Sequence, residues 1–168
     1  MTSASLLIAS TDLADPVHVD AFLSLLDHYA ADPMGGGTGL SDYAKHHLPE
    51  CLRSRPGFVG FIAWEREGGE AVGLLNAFEG FSTFAARPLL NLHDIVVRAD
   101  RRGRGIGQAL LEAAEGAARA RGYCKLTLEV LSNNIGAIAS YARFGFRPYE
   151  LDPAAGQALF LEKKLSAS

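Results

Sequence analysis

The segment "LLNLHDIVVRADRRGRGIGQALLEAAEGAARARGY", Leu89 to Tyr123, constrains this chain more than any other. It opens with a β run that is apolar on both faces, the pattern of an interior strand. It then passes through a turn with glycine at 103, 105 and 107. Beyond the turn, Ile106, Ala109, Leu110, Ala113, Ala114, Ala117 and Ala118 recur at helical spacing and form one apolar stripe, which stops at Gly122. A buried strand feeding through a tight glycine turn into a helix is an α/β unit, so the flanking sequence must supply more strands and covering helices.

The flanks do so. "SLLIAS" reads as a first strand, and Asp15-Pro16 caps a helix in which Val19, Phe22, Leu23, Leu26 and Tyr29 recur. "PMGGGTGLS" is a flexible loop, and Ser41 to about Arg55 is a second helix. "GFVGFIAWE" and "EAVGLLNAFE", joined at Gly68-Gly69, read as a hairpin. "GFSTFAARP", Gly80 to Pro88, reads as an aromatic-bearing loop. After the central helix come a β run "CKLTLEVL", a helix "NNIGAIASYARFGF" and a closing strand "QALFLEKKL". The order is βααβββαβαβ, with one more short strand near Phe146. With neither repeats nor linkers, residues 1–168 read as a single domain of an α/β fold.

Composition sets limits. The 168 residues are 48% apolar and 21% charged, a globular profile long enough for a core without staples. A net charge of -3 gives no global reason to expect nucleic acid, so the cluster Arg98, Arg101, Arg102 and Arg104 runs against the balance. Cys51 and Cys124 lack metal-ligand or redox spacing and read as free thiols, and no metal is expected. The N-terminus lacks the pattern of a signal peptide and no run reaches membrane-spanning length, so no membrane partner and a cytoplasmic location are expected.

A helix N-terminus presents unpaired N–H groups and the positive end of the helix dipole, and glycines let a phosphate approach them. The alternative is a loop-to-helix turn with solvated arginines. Among phosphate patterns, the dinucleotide G-x-G-x-x-G/A fails because Gln108 or Leu110 occupies the sixth position, and no Gly-Lys-Ser/Thr follows to make a P-loop.

Arg102-Gly103-Arg104-Gly105-Ile106-Gly107 resembles the R/Q-x-x-G-x-G/A signature of the GNAT N-acetyltransferases. "NNIGAIASYARFGF" is similar to a second signature of that family, N-x-x-A-x-x-x-Y-x-x-x-G-F, matched by Asn134, Ala137, Tyr141, Gly145 and Phe146. The resemblance runs from about Leu89 to Phe146. It implies a GNAT fold, a mixed central sheet of six to seven strands flanked by about four helices, with acetyl-CoA as co-substrate. It places the coenzyme A pyrophosphate on Arg102, Gly103, Arg104, Gly105, Ile106, Gly107 and Gln108. The pantetheine arm would pair like an added strand with Ile95, Val96 and Val97. Asn134 would touch pantetheine or phosphate, with N-capping as its other reading. Within the family, "LLNLHDIVVRADRRGRGIG" looks most like the diamine and polyamine (spermidine/spermine) branch. That branch has an acidic pair where this chain has His93-Asp94, and Ala99 stands where a proline is usual. A homodimer is implied as well.

Acetyl transfer to a small-molecule amine needs a base, because an alkylamine of pKa ~10.4 arrives as ammonium at neutral pH. His93, with an ordinary pKa of about 6.5, is the candidate; its alternative is a histidine hydrogen-bonded in the sheet. Asp94 is the candidate to hold the ammonium. Neighbours on a regular strand point to opposite faces, so His93 and Asp94 share a cleft only if the strand bulges; otherwise Asp94 is a structural carboxylate. Tyr141 matches the family tyrosine that gives a proton to the leaving thiolate, or else anchors the core beside Ile138 and Phe144. Asp32, Glu79 and Phe81 are candidate acceptor contacts, since acids and aromatics attract ammonium, and solvated loops are their alternative. The resemblance favours a polyamine- or diamine-like acceptor, with an aminoglycoside, amino acid or protein amine as the alternative. A non-catalytic acyl-CoA sensor is the reading from another class.

Overall fold

The computed structural model describes residues 6–66, 69–149, 152, 154, 156 and 158–165. Five strands form one sheet in the order β1 (Leu6–Ser10), β2 (Phe58–Glu65), β3 (Ala71–Ser82), β4 (Arg87–Val97), β5 (Leu126–Leu128). Neighbours from β1 to β4 are antiparallel, and β5 joins β4 in parallel. Helices α1 (Pro16–Ala31) and α2 (Asp42–Arg53) follow β1, α3 (Ile106–Ala120) joins β4 to β5, and α4 (Ile135–Phe144) follows β5. Asp15 caps α1, its carboxylate accepting from the Val17 N–H at 2.9 Å, and Ser41 Oγ caps α2 by accepting from Ala44 N–H at 3.1 Å.

Each face of the sheet carries a core. Val59, Phe61, Leu75, Ala77, Leu90 and Leu92 pack against Ile106, Leu110, Leu111, Ala114 and Ala118 of α3. On the other face Ile62, Trp64, Leu74 and Val96 meet Phe22, Leu25 and Leu26 of α1 and Leu52 of α2. The alanine stripe of α3 lets the helix lie close to the sheet: a Cβ on Gly73 would come 3.0 Å from Ile106 Cγ2 and 3.1 Å from Leu110 Cδ1.

Three expectations change. The aromatic loop from Gly80 to Pro88 is instead the end of a long hairpin, with Gly80 opposite Leu89, Phe81 opposite Pro88 and Ser82 opposite Arg87. Ser82 Oγ accepts from Ala85 N–H at 3.3 Å across the turn, so a local polar contact closes what composition marks as loop. The second change is at β5, which keeps three residues of its run because β4 pairs with it only at Leu90 to Leu92. The third concerns the expected closing strand: Ala158 to Leu165 has no strand partner, and Leu159, Phe160 and Leu161 are exposed. Gln157 lies outside the described residues. Alternation alone does not make a strand without a neighbour to take its N–H and C=O groups. No strand forms near Phe146 among the described residues either. Five described strands therefore stand where six to seven are expected, with four α-helices as expected.

Because Leu110 is fully buried between α3 and the sheet, Leu110→Ala should lower unfolding free energy by about 2–5 kcal/mol, read as a lower urea midpoint at unchanged slope.

Candidate active site

The glycine turn leaves its helix open at the N-terminal end. Gly103 and Gly105 have φ of 77° and 82°, left-handed conformations that favour glycine, and Gly105 is the N-cap of α3 without a side chain to cap it. The first helical bond runs from Ala109 N–H to Gly105 C=O at 3.0 Å, which leaves the N–H groups of Ile106, Gly107 and Gln108 without intrahelical acceptors. A Cβ at Gly103 or Gly105 would meet nothing within 4 Å, so the space over the turn is open. These features fit a pyrophosphate.

The arginines divide. Arg98 is bonded to Glu70 and, at 3.1 Å, to Asp100; Arg101 reaches Glu65 at 2.9 Å and Glu70 at 3.3 Å. Both are tied to the carboxylates of the β2–β3 hairpin and of the turn. Arg102 and Arg104 remain more exposed, both at 58%, with Arg104 3.5 Å from Glu65. Arg102 donates to Val97 C=O at 3.3 Å and to the Asp32 carboxylate at 3.2 Å.

Next to the turn, β4 has a free edge. Its pairing with β5 stops at Leu92, while β4 itself continues to Val97. Ile95, Val96 and Val97 therefore lie beyond the last β4–β5 pair, beside a gap shaped for an extended chain.

The bulge on which a shared cleft depends is present. Leu92 stands opposite Ala77 and Asp94 opposite Asn76, so His93 is an extra residue in β4. The insertion reverses the alternation: Leu90 and Leu92 join the α3 core, but Val96 joins the α1 core. His93 and Asp94 consequently share the α1–α2 face. There His93 is exposed, with its ring edge-on to Phe78 at 4.8 Å. Asp94 is half-buried and accepts from Asn76 Nδ2–H at 3.1 Å. Burial pushes the Asp94 carboxyl up from its ordinary value, with the Asn76 hydrogen bond and the His93 charge pulling the other way.

Two residues at this site were not singled out from the sequence. Asn76 is 2% exposed, and its Oδ1 has no partner. A polar residue inside the apolar run "AVGLLNAF" was the available signal. Tyr29 read as one more position of a helical stripe. Its phenol is raised by burial and by the Asp94 and Asp32 carboxylates, which sets it within electrostatic reach of both.

Tyr141 lies half-buried on α4 with its ring edge-on to Phe146 at 5.9 Å. Burial, with a smaller contribution from Tyr29, pushes its phenol up to about 12. At neutral pH it is a protonated hydroxyl, able to donate and unfit to act as a base. The other motif side chains are already engaged. Gln108 Nε2 donates to Ser140 Oγ at 2.8 Å and to Ser140 C=O at 3.1 Å, holding α4 to the start of α3. Asn134 Oδ1 caps α4 by accepting from Ala137 N–H at 3.3 Å.

The acceptor candidates are not all brought together. Asp32 accepts from Met34 N–H at 2.9 Å and from Arg102, contacts that lower its pKa in that order, so it ties the α1–α2 loop to the glycine turn. Glu79 and Phe81 share the alternation of Ala77, on the α3 face, away from His93 and Asp94. Glu79 accepts from the Tyr123 hydroxyl, and Phe81 is 63% exposed near the hairpin tip.

An open strand edge leading into a turn with free helix N–H groups, beside a bulged cleft with a histidine and a carboxylate, is shaped to suit a long phosphate-bearing ligand and a second, smaller one. The chain belongs to the Acetyltransferase (GNAT) family, whose model matches residues 22–146. It is 42% identical over 84 residues to streptothricin acetyltransferase of Streptomyces lavendulae, covering 50% of this chain and 44% of that protein. It is 32% identical over 110 residues to L-methionine sulfoximine/L-methionine sulfone acetyltransferase of Pseudomonas aeruginosa, covering 62% and 60%. The fold is similar to that of an aminoglycoside acetyltransferase from an uncultured soil metagenomic sample in complex with trehalose, with a TM-score of 0.76 at 19% identity over 96% of this chain and 97% of that one. Thus the chain spans about half the length of these curated relatives, and the structural likeness concerns the fold. Among the described residues no helix is long and apolar enough to cross a membrane, and no cluster of side chains is suited to a metal.

The raised Asp94 makes a stability prediction. The folded state holds this proton above the ordinary aspartate pKa of ~3.9, so ionising Asp94 costs stability as pH rises from there through the raised value. Asp94→Asn should therefore be more stable than the parent at pH 7, with the gain vanishing below about pH 4, as read by urea titrations at both pH values.

Proposed function

We propose that this chain is an acetyl-CoA-dependent N-acetyltransferase for the primary amine of a small molecule. The observation that carries this reading is the bulge at His93, which turns two polar side chains into one cleft directly before the open edge of β4. Acetyl-CoA supplies an activated acetyl group; everything else follows from side chains and backbone.

The pyrophosphate rests on the N–H groups of Gly103 to Gln108, with Arg102 and Arg104 at the rim, and the pantetheine arm lies along Ile95, Val96 and Val97. A backbone N–H of that edge polarises the thioester carbonyl. The acceptor ammonium is held by the Asp94 carboxylate, and the exposed imidazole of His93 takes its proton, directly or through water. The free amine attacks the carbonyl carbon, the N–C bond forms and the C–S bond breaks. Tyr141 then protonates the thiolate, and the second proton of the acylated nitrogen passes through water to the phenolate and restores it; a hydroxyl of pKa about 12 is a weaker acid than the thiol product at ~8.5, so it is the loss of that acidic nitrogen proton that carries the transfer forward. With their side chains engaged by α4, Gln108 and Asn134 serve this site by shape: Gln108 fixes α4, and with it Tyr141, against the start of α3, and Asn134 caps α4.

The relatives named above act, by their names, on streptothricin and on amino-acid analogues, and the half-matched acidic pair gives a polyamine acceptor no second carboxylate at position 93. A small amine is the acceptor that both observations support.

Thiol release from acetyl-CoA across amines, amino acids, aminoglycosides and a lysine peptide tests the reading; binding of acetyl-CoA without release on any acceptor would replace the enzyme with a sensor. Tyr141→Phe should lower kcat by roughly 10²-fold while leaving acetyl-CoA affinity unchanged, and an unchanged kcat would remove Tyr141 as the acid. For His93→Ala the rate should fall most at neutral pH and recover as pH approaches the amine pKa, whereas a uniform loss across the pH range would assign His93 a structural role.

A further inference from the structure

Resting on that acetyltransferase reading, we propose that the acceptor is an amino acid, an amine and a carboxylate in one small molecule, and that Arg55 is the specificity-determining residue that binds the carboxylate. Arg55 lies just past the end of α2, with its guanidinium carbon 5.8 Å from the centre of the Phe78 ring. Phe78 is the ring that His93 meets edge-on at 4.8 Å, and the Phe58 ring lies 5.6 Å from it. The cation therefore stands on the aromatic floor of the cleft that holds His93 and Asp94.

A cation–π contact uses no hydrogen-bond donor, so the guanidinium keeps its N–H groups in the fork that matches a carboxylate. Arg55 makes no side-chain hydrogen bond or ion pair among the described residues. In contrast, the neighbouring cations on this side are occupied: Arg102 holds Asp32, Lys45 holds Asp27 at 3.1 Å, and Arg53 holds Glu50 at 2.6 Å. An arginine with unused donors beside a catalytic cleft is a place for an anion from outside the chain.

The opposite pole is anionic. The buried Asn76 sits two residues along β3 from Phe78 on the same face, about 7 Å away at the strand rise, and it holds Asp94 of the neighbouring β4. An ammonium at Asp94 and a carboxylate at Arg55 satisfy both poles, and the Phe58–Phe78 surface between them accepts the apolar part of the molecule. A polyamine would instead bring a second positive charge toward Arg55.

Matched acceptor pairs test this: several amino acids and the amines formed by their decarboxylation, with an aminoglycoside alongside, assayed by thiol release from acetyl-CoA on the parent, Arg55→Gln and Arg55→Lys proteins. The parent should prefer each amino acid over its amine by at least about tenfold in kcat/KM. Arg55→Gln should erase that preference through KM by roughly 10- to 100-fold while changing the amines less than about twofold, and Arg55→Lys should restore part of it. Amines or aminoglycosides used as well as amino acids, or an equal loss for both members of each pair in Arg55→Gln, would overturn the assignment while leaving the acetyltransferase standing. Thiol release with no acceptor at all, despite bound acetyl-CoA, would overturn the parent reading and this one together.

Discussion

A single inserted residue in β4 organises this molecule. Opposite Asn76 and Ala77 the strand spends one residue, His93, without a partner, and every side chain beyond it changes face. Without the insertion Asp94 would point with Leu90 and Leu92 into the α3 core, where a carboxylate has no place, and His93 alone would face α1. With it, the apolar residues Ile95 and Val97 pack toward α3, Val96 completes the α1 core, and two polar groups share a cleft. The same strand loses its β5 neighbour after Leu92, so the cleft opens next to an unpaired backbone edge. The acceptor side and the donor side of the site are thus consequences of one strand's irregularity on its two edges.

Charge around the glycine turn is managed locally. Arg98 and Arg101 are consumed by Glu65, Glu70 and Asp100, which lock the β2–β3 hairpin to the turn. That brace holds the turn in position and leaves the N–H groups at the start of α3 open for the proposed pyrophosphate. Arg102 has a different partner: by pairing with Asp32 it connects the turn to the loop after α1. Exposed pairs of this kind contribute little to stability, and their value lies in geometry.

The Asp94–Asn76 pair shows the opposite economy. A carboxyl pushed up by burial and an amide oxygen without a partner both cost folding free energy. Such groups persist where their chemistry is used, and their position beside His93 and Tyr29 is consistent with a site that trades stability for a fixed negative pole.

The sequence by itself determined the four helices, the central strands and the glycine turn on which the proposed donor half of the site rests. Helical stripes, the glycine turn and the two signatures sit where local rules put them, because helix periodicity, N-capping and left-handed glycines depend on residues close in sequence. It left open whether His93 and Asp94 share a face, because a bulge is a property of register between two strands and carries no mark in either one alone. It misassigned Glu79 and Phe81 for a related reason: their acidity and aromaticity were readable, but only the regular alternation of β3 within the sheet decides that they face α3. The closing strand failed because a strand is made by its partner. Tyr29 on α1, Asn76 on β3 and Asp94 on β4 lie far apart in the chain, and only tertiary packing decides that their polar groups act on one another.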